Sequence, residues 1–119
     1  MIGMTDIDED SVLAALREHI GHRRGITADT LVFRITGDQY PNAAAERKLR
    51  RIVTALRLRG YHVCAHPSTG YYMAENEAEL NATCEYLYDR AMASLTQISR
   101  MKRTSVPDLR GQLRLKEKS

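Results

Sequence analysis

Hydrophobic positions recur at helical spacing in several segments of the chain, and the first segment lies within residues 6–20. Val12, Leu13, Leu16 and Ile20 follow one another at that spacing. The acidic side chains just before them suit the positive end of a helix dipole. We therefore predict that residues 6–20 form the first helix.

A second helix of two to three turns is predicted after a glycine-interrupted stretch. Thr27 can cap it, and Leu31, Val32 and Ile35 form its apolar side. Gly37 is placed to end it.

The third helix is predicted over 43–59. Pro41 restricts the backbone before the helix, and the side chain of Asn42 can accept a hydrogen bond from the first free amides. Gly60 supplies the left-handed stop expected just past a helix end.

Two short runs rich in Tyr, Val and His, residues 61–66 and 71–74, flank the sequence Pro-Ser-Thr-Gly. This pattern is typical of a β-hairpin with a slightly long loop. Two strands alone do not form a stable sheet, so we expect the hairpin to pack on the helices.

From about Glu75 the helical period returns for almost 30 residues, with acidic residues at its start. We predict a long fourth helix here. Its apolar stripe consists of Leu80, Cys84, Leu87, Ala91, Leu95 and Ile98.

The composition of the 119 residues, 43% hydrophobic and 28% charged with no Trp, predicts a soluble, helix-rich chain of one domain and a tail. The net charge of +3 understates an asymmetry. The first ten residues carry four acids and no base, whereas residues 46–59 carry six bases and one acid. Such a local basic cluster is a footprint of nucleic-acid binding.

Four segments follow from these patterns: an acidic N-terminal segment 1–10, a core 11–74, the long helix 75–104 and a basic, flexible tail 105–119. The stripe of the long helix exceeds what a three-helix core needs to cover it. We therefore predict a homodimer through this helix, the alternative being that the helix folds back over its own domain.

The segments "GITADTLVFRITG", "RRIVTALRLRG" and "GYYMAENEAEL" resemble small winged helix-turn-helix proteins encoded by phages and prophages. The resemblance covers roughly residues 11–103. It implies a mainly α fold with a small β-hairpin: three helices, a two-stranded wing and a long C-terminal helix. It also implies that the third helix reads DNA, and it implies no enzymatic activity.

The third helix has the two faces that a DNA reader needs. The apolar stripe of Leu49, Ile52, Val53 and Leu56 should be buried, which presents basic residues on the opposite side. Arginine there can donate two hydrogen bonds to guanine, and small side chains can touch a thymine methyl group. The alternative is a solvated helix face. The candidate DNA-binding residues are Asn42, Ala44, Arg47, Lys48, Arg50, Arg51, Thr54, Arg57, Ser68 and Thr69. Arg47, Arg51 and Thr54 are expected nearest the bases, and Lys48, Arg50, Arg57 and Arg59 are expected to hold phosphates.

We therefore predict sequence-specific binding of double-stranded DNA, in transcriptional regulation or replication. The alternative is a phage-encoded adaptor or inhibitor that docks on a host protein complex. The chain shows no nucleophile-base set, phosphate-binding glycine loop or paired carboxylates, so we predict neither an enzyme nor a cofactor.

His62, Cys64 and His66 alternate along one predicted strand, and imidazole with thiolate can bind zinc. Packing of this strand on the helices is the alternative that we favour, so we predict no metal. Cys64 and Cys84 form no CxxC pair, which suits a reducing cytoplasm. We also expect no membrane span and no signal peptide.

Overall fold

The computed structural model describes residues 6–103 together with 105, 107 and 108. It confirms a mainly helical chain with one small antiparallel hairpin. The first five residues of the predicted acidic segment and most of the predicted basic tail lie outside the described residues. None of the helices in the described part has the length and apolar character needed to cross a membrane. The elements are α1 (Glu9–Leu16), a 3₁₀ turn (His22–Arg24), α2 (Ala28–Thr36), α3 (Ala43–Leu58), β1 (Val63–His66), β2 (Gly70–Met73) and α4 (Glu77–Lys102).

Helix α1 begins where Asp8 caps it. The Asp8 carboxylate accepts from Ser11 N at 2.7 Å, and Ser11 Oγ accepts from Asp8 N at 3.0 Å. The predicted extension of this helix to Ile20 is wrong. The chain leaves the helix after Leu16, and Ile20, 48% exposed, forms a parallel β-bridge with Met73. Hydrogen bonds to β2 therefore decide the conformation of this segment, against its helical spacing.

The predicted caps and stops of α2 and α3 are confirmed in position. Gly37 (φ +79°) and Gly60 (φ +94°) both take the left-handed conformation after their helices. Asn42 Oδ1 accepts from Ala45 N at 2.8 Å at the start of α3. Thr27 precedes α2 as predicted, but its hydroxyl bonds the side chains of Asp29 and Thr30 instead of a free amide.

The hairpin has a third partner that the sequence did not predict. Cys64 pairs with Tyr72 across β1 and β2, and the other edge of β2 bonds the chain on either side of the 3₁₀ turn. Ile26 and Tyr71 exchange two backbone hydrogen bonds of 2.8 Å. Strand β2 therefore lies between β1 and residues 20–26.

The core is formed where α1, α2 and α3 meet and where the hairpin packs on them. As predicted, the apolar stripe of α3 is buried in it. Val63 joins this core from one face of the hairpin, and Cys64 and Tyr72 are buried on the other face. Both faces of the hairpin are therefore covered at its base. The core residues are Ile7, Val12, Leu13, Leu16, Ile26, Leu31, Val32, Leu49, Ile52, Val53, Leu56 and Val63.

Helix α4 confirms the predicted long C-terminal helix, which spans 26 residues. Asn76 Oδ1 accepts from Glu79 N at 2.9 Å at its start. Thr83 is the only residue of α4 that is buried among the described residues. The chain divides into two compact units at this point, between Thr83 and Cys84.

Candidate nucleic-acid interface

The exposed side of α3 carries the predicted reading residues. Arg47, Arg50, Arg51 and Thr54 together line one shallow depression on this helix. They reach this side because the apolar stripe of the same helix is fixed in the core. The structure therefore brings together the four residues that the helical period grouped.

The guanidinium groups of Arg47, Arg50 and Arg51 are unoccupied: within residues 6–103, none of them makes a side-chain hydrogen bond or an ion pair. Thr54 Oγ1 donates to Arg50 O at 3.1 Å, a bond along the helix. An arginine whose five N–H donors face water can give them to an anionic or planar ligand. These three side chains are therefore free to bind one.

The first turn of α3 is exposed at Ala44. The small side chain of Ala44 lets a ligand approach the helix backbone closely. The amide oxygen of Asn42 already serves as the helix cap, which leaves only its NH₂ group for a ligand. The role of Asn42 supported by the geometry is to hold the first turn in place.

Of the four expected phosphate contacts, the three that lie outside the depression have partners inside the chain. Lys48 Nζ lies 3.0 Å from Asp6, and Arg59 Nη1 lies 2.6 Å from Glu9 Oε1. Arg57 Nε donates to Val63 O at 2.8 Å and so ties α3 to β1. Only Arg50 of this set is unpaired among the described residues.

The two ion pairs use the acidic residues just before and within α1. The hydrogen bond from Lys48 lowers the pKa of Asp6, and the hydrogen bond to Glu9 raises the pKa of Arg59. The Asp6 side chain is 83% exposed, and such pairs are weak because water screens them. A phosphate can therefore compete for Lys48, although the acids reduce the positive potential on this flank.

The hairpin loop exposes one of the two hydroxyl groups predicted to face DNA. Ser68 is exposed, but its backbone N–H and its hydroxyl both lie within hydrogen-bond distance of His66 Nδ1, at 3.1 and 2.8 Å. Thr69 Oγ1 is buried and has no hydrogen-bond partner among the described residues. Of the two predicted loop contacts, only Ser68 therefore has its hydroxyl at the surface.

A basic pair that the sequence analysis missed lies beside this loop. The backbone at Gly25 approaches the loop so closely that a Cβ there would lie 2.4 Å from Thr69 O. The adjacent Arg23 and Arg24 are exposed, and their guanidinium groups have no partner within the described residues. The loop itself has no Lys or Arg, so the tertiary structure supplies its cations. The run "GHRRG" was the available signal, but it could not be placed without the pairing of Ile26 with Tyr71.

The aromatic and acidic contacts of His22 hold this basic turn. Its ring meets the ring of His66 edge-on at 4.7 Å and that of Tyr72 at 5.6 Å between centroids. Its backbone N–H donates to Glu79 Oε2 at 3.0 Å. Accepting from the amides of Glu75 and His22 lowers the pKa of Glu79.

The set His62, Cys64 and His66 is separated by burial. Cys64 is fully buried and its Sγ lies 3.6 Å from Glu79 O, whereas both histidines are exposed. The described part of the chain contains no group of three His, Cys, Asp or Glu side chains that could hold a metal ion. Cys64 is a packing residue between the hairpin and the start of α4.

The depression on α3 and the basic turn beside the hairpin loop are thus two basic surfaces whose arginines have no partner among the described residues. Comparison of the chain with models of known protein families, with curated proteins and with solved structures gave no match.

Proposed function

We propose that this protein binds double-stranded DNA sequence-specifically, as a winged helix-turn-helix protein of phage or prophage type that acts in transcriptional regulation or replication. One observation carries the proposal. Arg47, Arg50 and Arg51 lie on the exposed side of one helix without any partner in the described chain, around Thr54.

The dimensions and chemistry of α3 suit the major groove. A helix with its side chains is about 10–12 Å wide, and the major groove is about 12 Å wide. Arg47 and Arg51, one turn apart, can each donate two hydrogen bonds to the O6 and N7 of guanine. Thr54 and Ala44 suit contact with thymine methyl groups. Arg50 lies at the edge of this face, where a phosphate would be.

The hairpin would contact DNA with help from the 3₁₀ turn. Its loop offers Ser68, and Arg23 and Arg24 add the positive charge that the loop lacks. Contacts of this kind fix the position of a protein on the duplex without reading bases. Base discrimination is thereby assigned to α3 and general affinity to both surfaces.

The test begins with selection of bound duplexes from a random pool, followed by titration of the selected duplex at several salt concentrations. We expect log Kd to change with log salt at a slope of roughly 0.9 per neutralised phosphate. Arg47→Ala combined with Arg51→Ala should abolish discrimination between selected and scrambled duplexes, since each arginine–guanine pair contributes about 1–3 kcal/mol to that discrimination.

Two control variants distinguish the loss of base recognition from the loss of positive charge. Lys48→Ala should weaken binding to the selected and the scrambled duplex equally, because Lys48 is assigned to a phosphate contact. Arg17→Ala removes an exposed arginine of the segment after α1 and should change neither. Duplex binding whose affinity does not change with salt concentration and that persists in the double variant would overturn the proposal. Absence of binding at low salt would also overturn it and would leave the protein-docking adaptor as the function to examine.

A further inference from the structure

One side of α4 carries apolar residues along its whole length; three of the six are exposed in the described part of the chain, and Leu80, Leu95 and Ile98 are partly buried. Cys84 and Ala91 are exposed, and Leu87 is 40% exposed. We define the α4 stripe as Leu80, Cys84, Leu87, Ala91, Leu95 and Ile98. A series of this length on a solvent-facing helix indicates a surface that another helix covers.

The start of α4 packs on the hairpin through a side of the helix next to the stripe. The start of α4 packs on the hairpin through Thr83, which is buried, and through Glu79, whose carbonyl oxygen meets Cys64 Sγ at 3.6 Å. At about 100° per residue, these two positions lie roughly 100° round the helix from the centre of the stripe. At these two positions the hairpin therefore contacts a side of α4 away from the centre of the stripe.

The spacing of the stripe is symmetric about Asp89. Leu87 and Ala91 lie two residues to either side of it, and Leu80 and Ile98 lie nine residues to either side. Cys84 and Leu95 lie five and six residues away. Such a sequence matches its own reverse, so two copies aligned antiparallel place apolar residues opposite apolar residues along the full length of the helix.

The ends of the same line carry opposite charges. Glu77 and Lys102 lie on the helical line of the stripe, twelve and thirteen residues from Asp89. Antiparallel copies place Glu77 opposite Lys102 of the second copy at both ends. Parallel copies place Glu77 opposite Glu77 and Lys102 opposite Lys102, and they also align the two helix dipoles unfavourably.

We propose that α4 pairs with α4 of a second copy of this chain in antiparallel orientation, with Cys84 of one copy opposite Leu95 of the other. The helix is about 39 Å long at about 1.5 Å per residue, so six apolar positions on each copy contribute to the interface. The pairing is a property of the free protein and does not depend on DNA binding.

Disulfide cross-linking of the full chain distinguishes the two orientations. In the antiparallel pair the two Cys84 residues lie about 16 Å apart along the helix axis, beyond the roughly 7 Å that a disulfide allows between Cα atoms. The unaltered protein should therefore form no cross-linked dimer on oxidation with copper phenanthroline, since Cys64 is buried. Leu95→Cys should cross-link efficiently, because its new thiol faces Cys84 of the second copy.

Two matched variants complete the test. Ala93→Cys places the thiol on the opposite side of the helix and should not cross-link. Leu95→Cys in a Cys84→Ser background should not cross-link either, because the two cysteines at position 95 are as far apart as the native pair. A cross-link in that background, or between native Cys84 residues, would show parallel pairing and overturn the proposal.

The mass in solution tests the interface itself, without nucleic acid. We expect a particle of twice 13.5 kDa at concentrations near 100 μM, and a single-chain mass for Leu87→Glu with unchanged helical circular dichroism. A single-chain mass for the unaltered protein would overturn the proposal, as would a dimer that survives Leu87→Glu. Neither result affects the duplex titration, so the two proposals fail separately.

Discussion

Replacement of Gly70 by alanine should destabilise the protein far more than the same replacement at Gly37. Both glycines have a positive φ, +91° and +79°, that alanine adopts at a cost of about 1–2 kcal/mol. The two sites differ in the room available for a Cβ atom. A Cβ at Gly70 would lie 2.3 Å from Ile26 O and 2.8 Å from Thr27 N, whereas a Cβ at Gly37 would have no atom within 4 Å.

The magnitude for Gly70→Ala follows from what must move. The overlap is with backbone atoms, so relief requires β2 to separate from residues 26–27. That separation breaks the two hydrogen bonds between Ile26 and Tyr71, each contributing about 1 kcal/mol. Together with the cost of the left-handed φ, we expect a loss of about 3–4 kcal/mol for Gly70→Ala and about 1–2 kcal/mol for Gly37→Ala.

The assay is urea unfolding followed by circular dichroism at 222 nm, with both variants measured against the unaltered protein. Gly60→Ala serves as a second control, since a Cβ there also meets no atom within 4 Å at a φ of +94°. Equal losses at Gly70 and Gly37 would refute the reasoning, because they would show that residues 26–27 do not press against β2. A selective loss at Gly70 confirms the third partner of the hairpin.

Three further predictions follow from the caps and ion pairs. Asp6→Asn together with Glu9→Gln should raise the affinity for duplex DNA by about two- to tenfold at low salt, because the acids no longer compete with phosphate; the gain should vanish at high salt, and an unchanged affinity at low salt would contradict it. Asn42→Ala should lower the free energy of unfolding by about 1 kcal/mol in urea titrations through loss of the α3 cap, whereas Asn81→Ala, at an exposed position in the second turn of α4, should stay within about 0.5 kcal/mol. The pKa of Glu79 is lowered in the folded state, so its contribution to stability is present above the ordinary pKa of a glutamate and is lost as pH falls through the folded value. Glu79→Gln should therefore flatten the acid side of a thermal stability profile, and an identical profile would argue against the two amide bonds.

The pairing of β2 with residues 20–26 matters for the proposed interface as well as for stability. It brings Arg23 and Arg24 next to the hairpin loop, where the sequence itself has only Ser68 and Thr69. A variant that weakens this pairing should therefore reduce both the free energy of unfolding and the general affinity for DNA. Discrimination between duplexes should remain, because α3 is positioned by the core.

The sequence by itself determined α2, α3 and α4, the cap of α3 and the stops of α2 and α3, because these depend on contacts within a few residues. Asn42 caps α3, Gly37 and Gly60 follow their helices, and the period of α3 divides its buried and exposed sides as observed. The exposed arginines of the candidate interface were predictable for the same reason. The hairpin could also be predicted from its Tyr-rich runs and its glycine.

Only the tertiary structure decided which of the predicted cations are unpaired and which segment completes the hairpin. Ile20 left the helical pattern because the chain around it bonds to β2, which no local period reveals. Lys48 and Arg59 form ion pairs with acids that are about forty to fifty residues away in the chain, and Arg57 donates a hydrogen bond to a carbonyl group of β1. Spacing along a helix shows which side chains share a face, but their partners on other elements depend on how the elements pack.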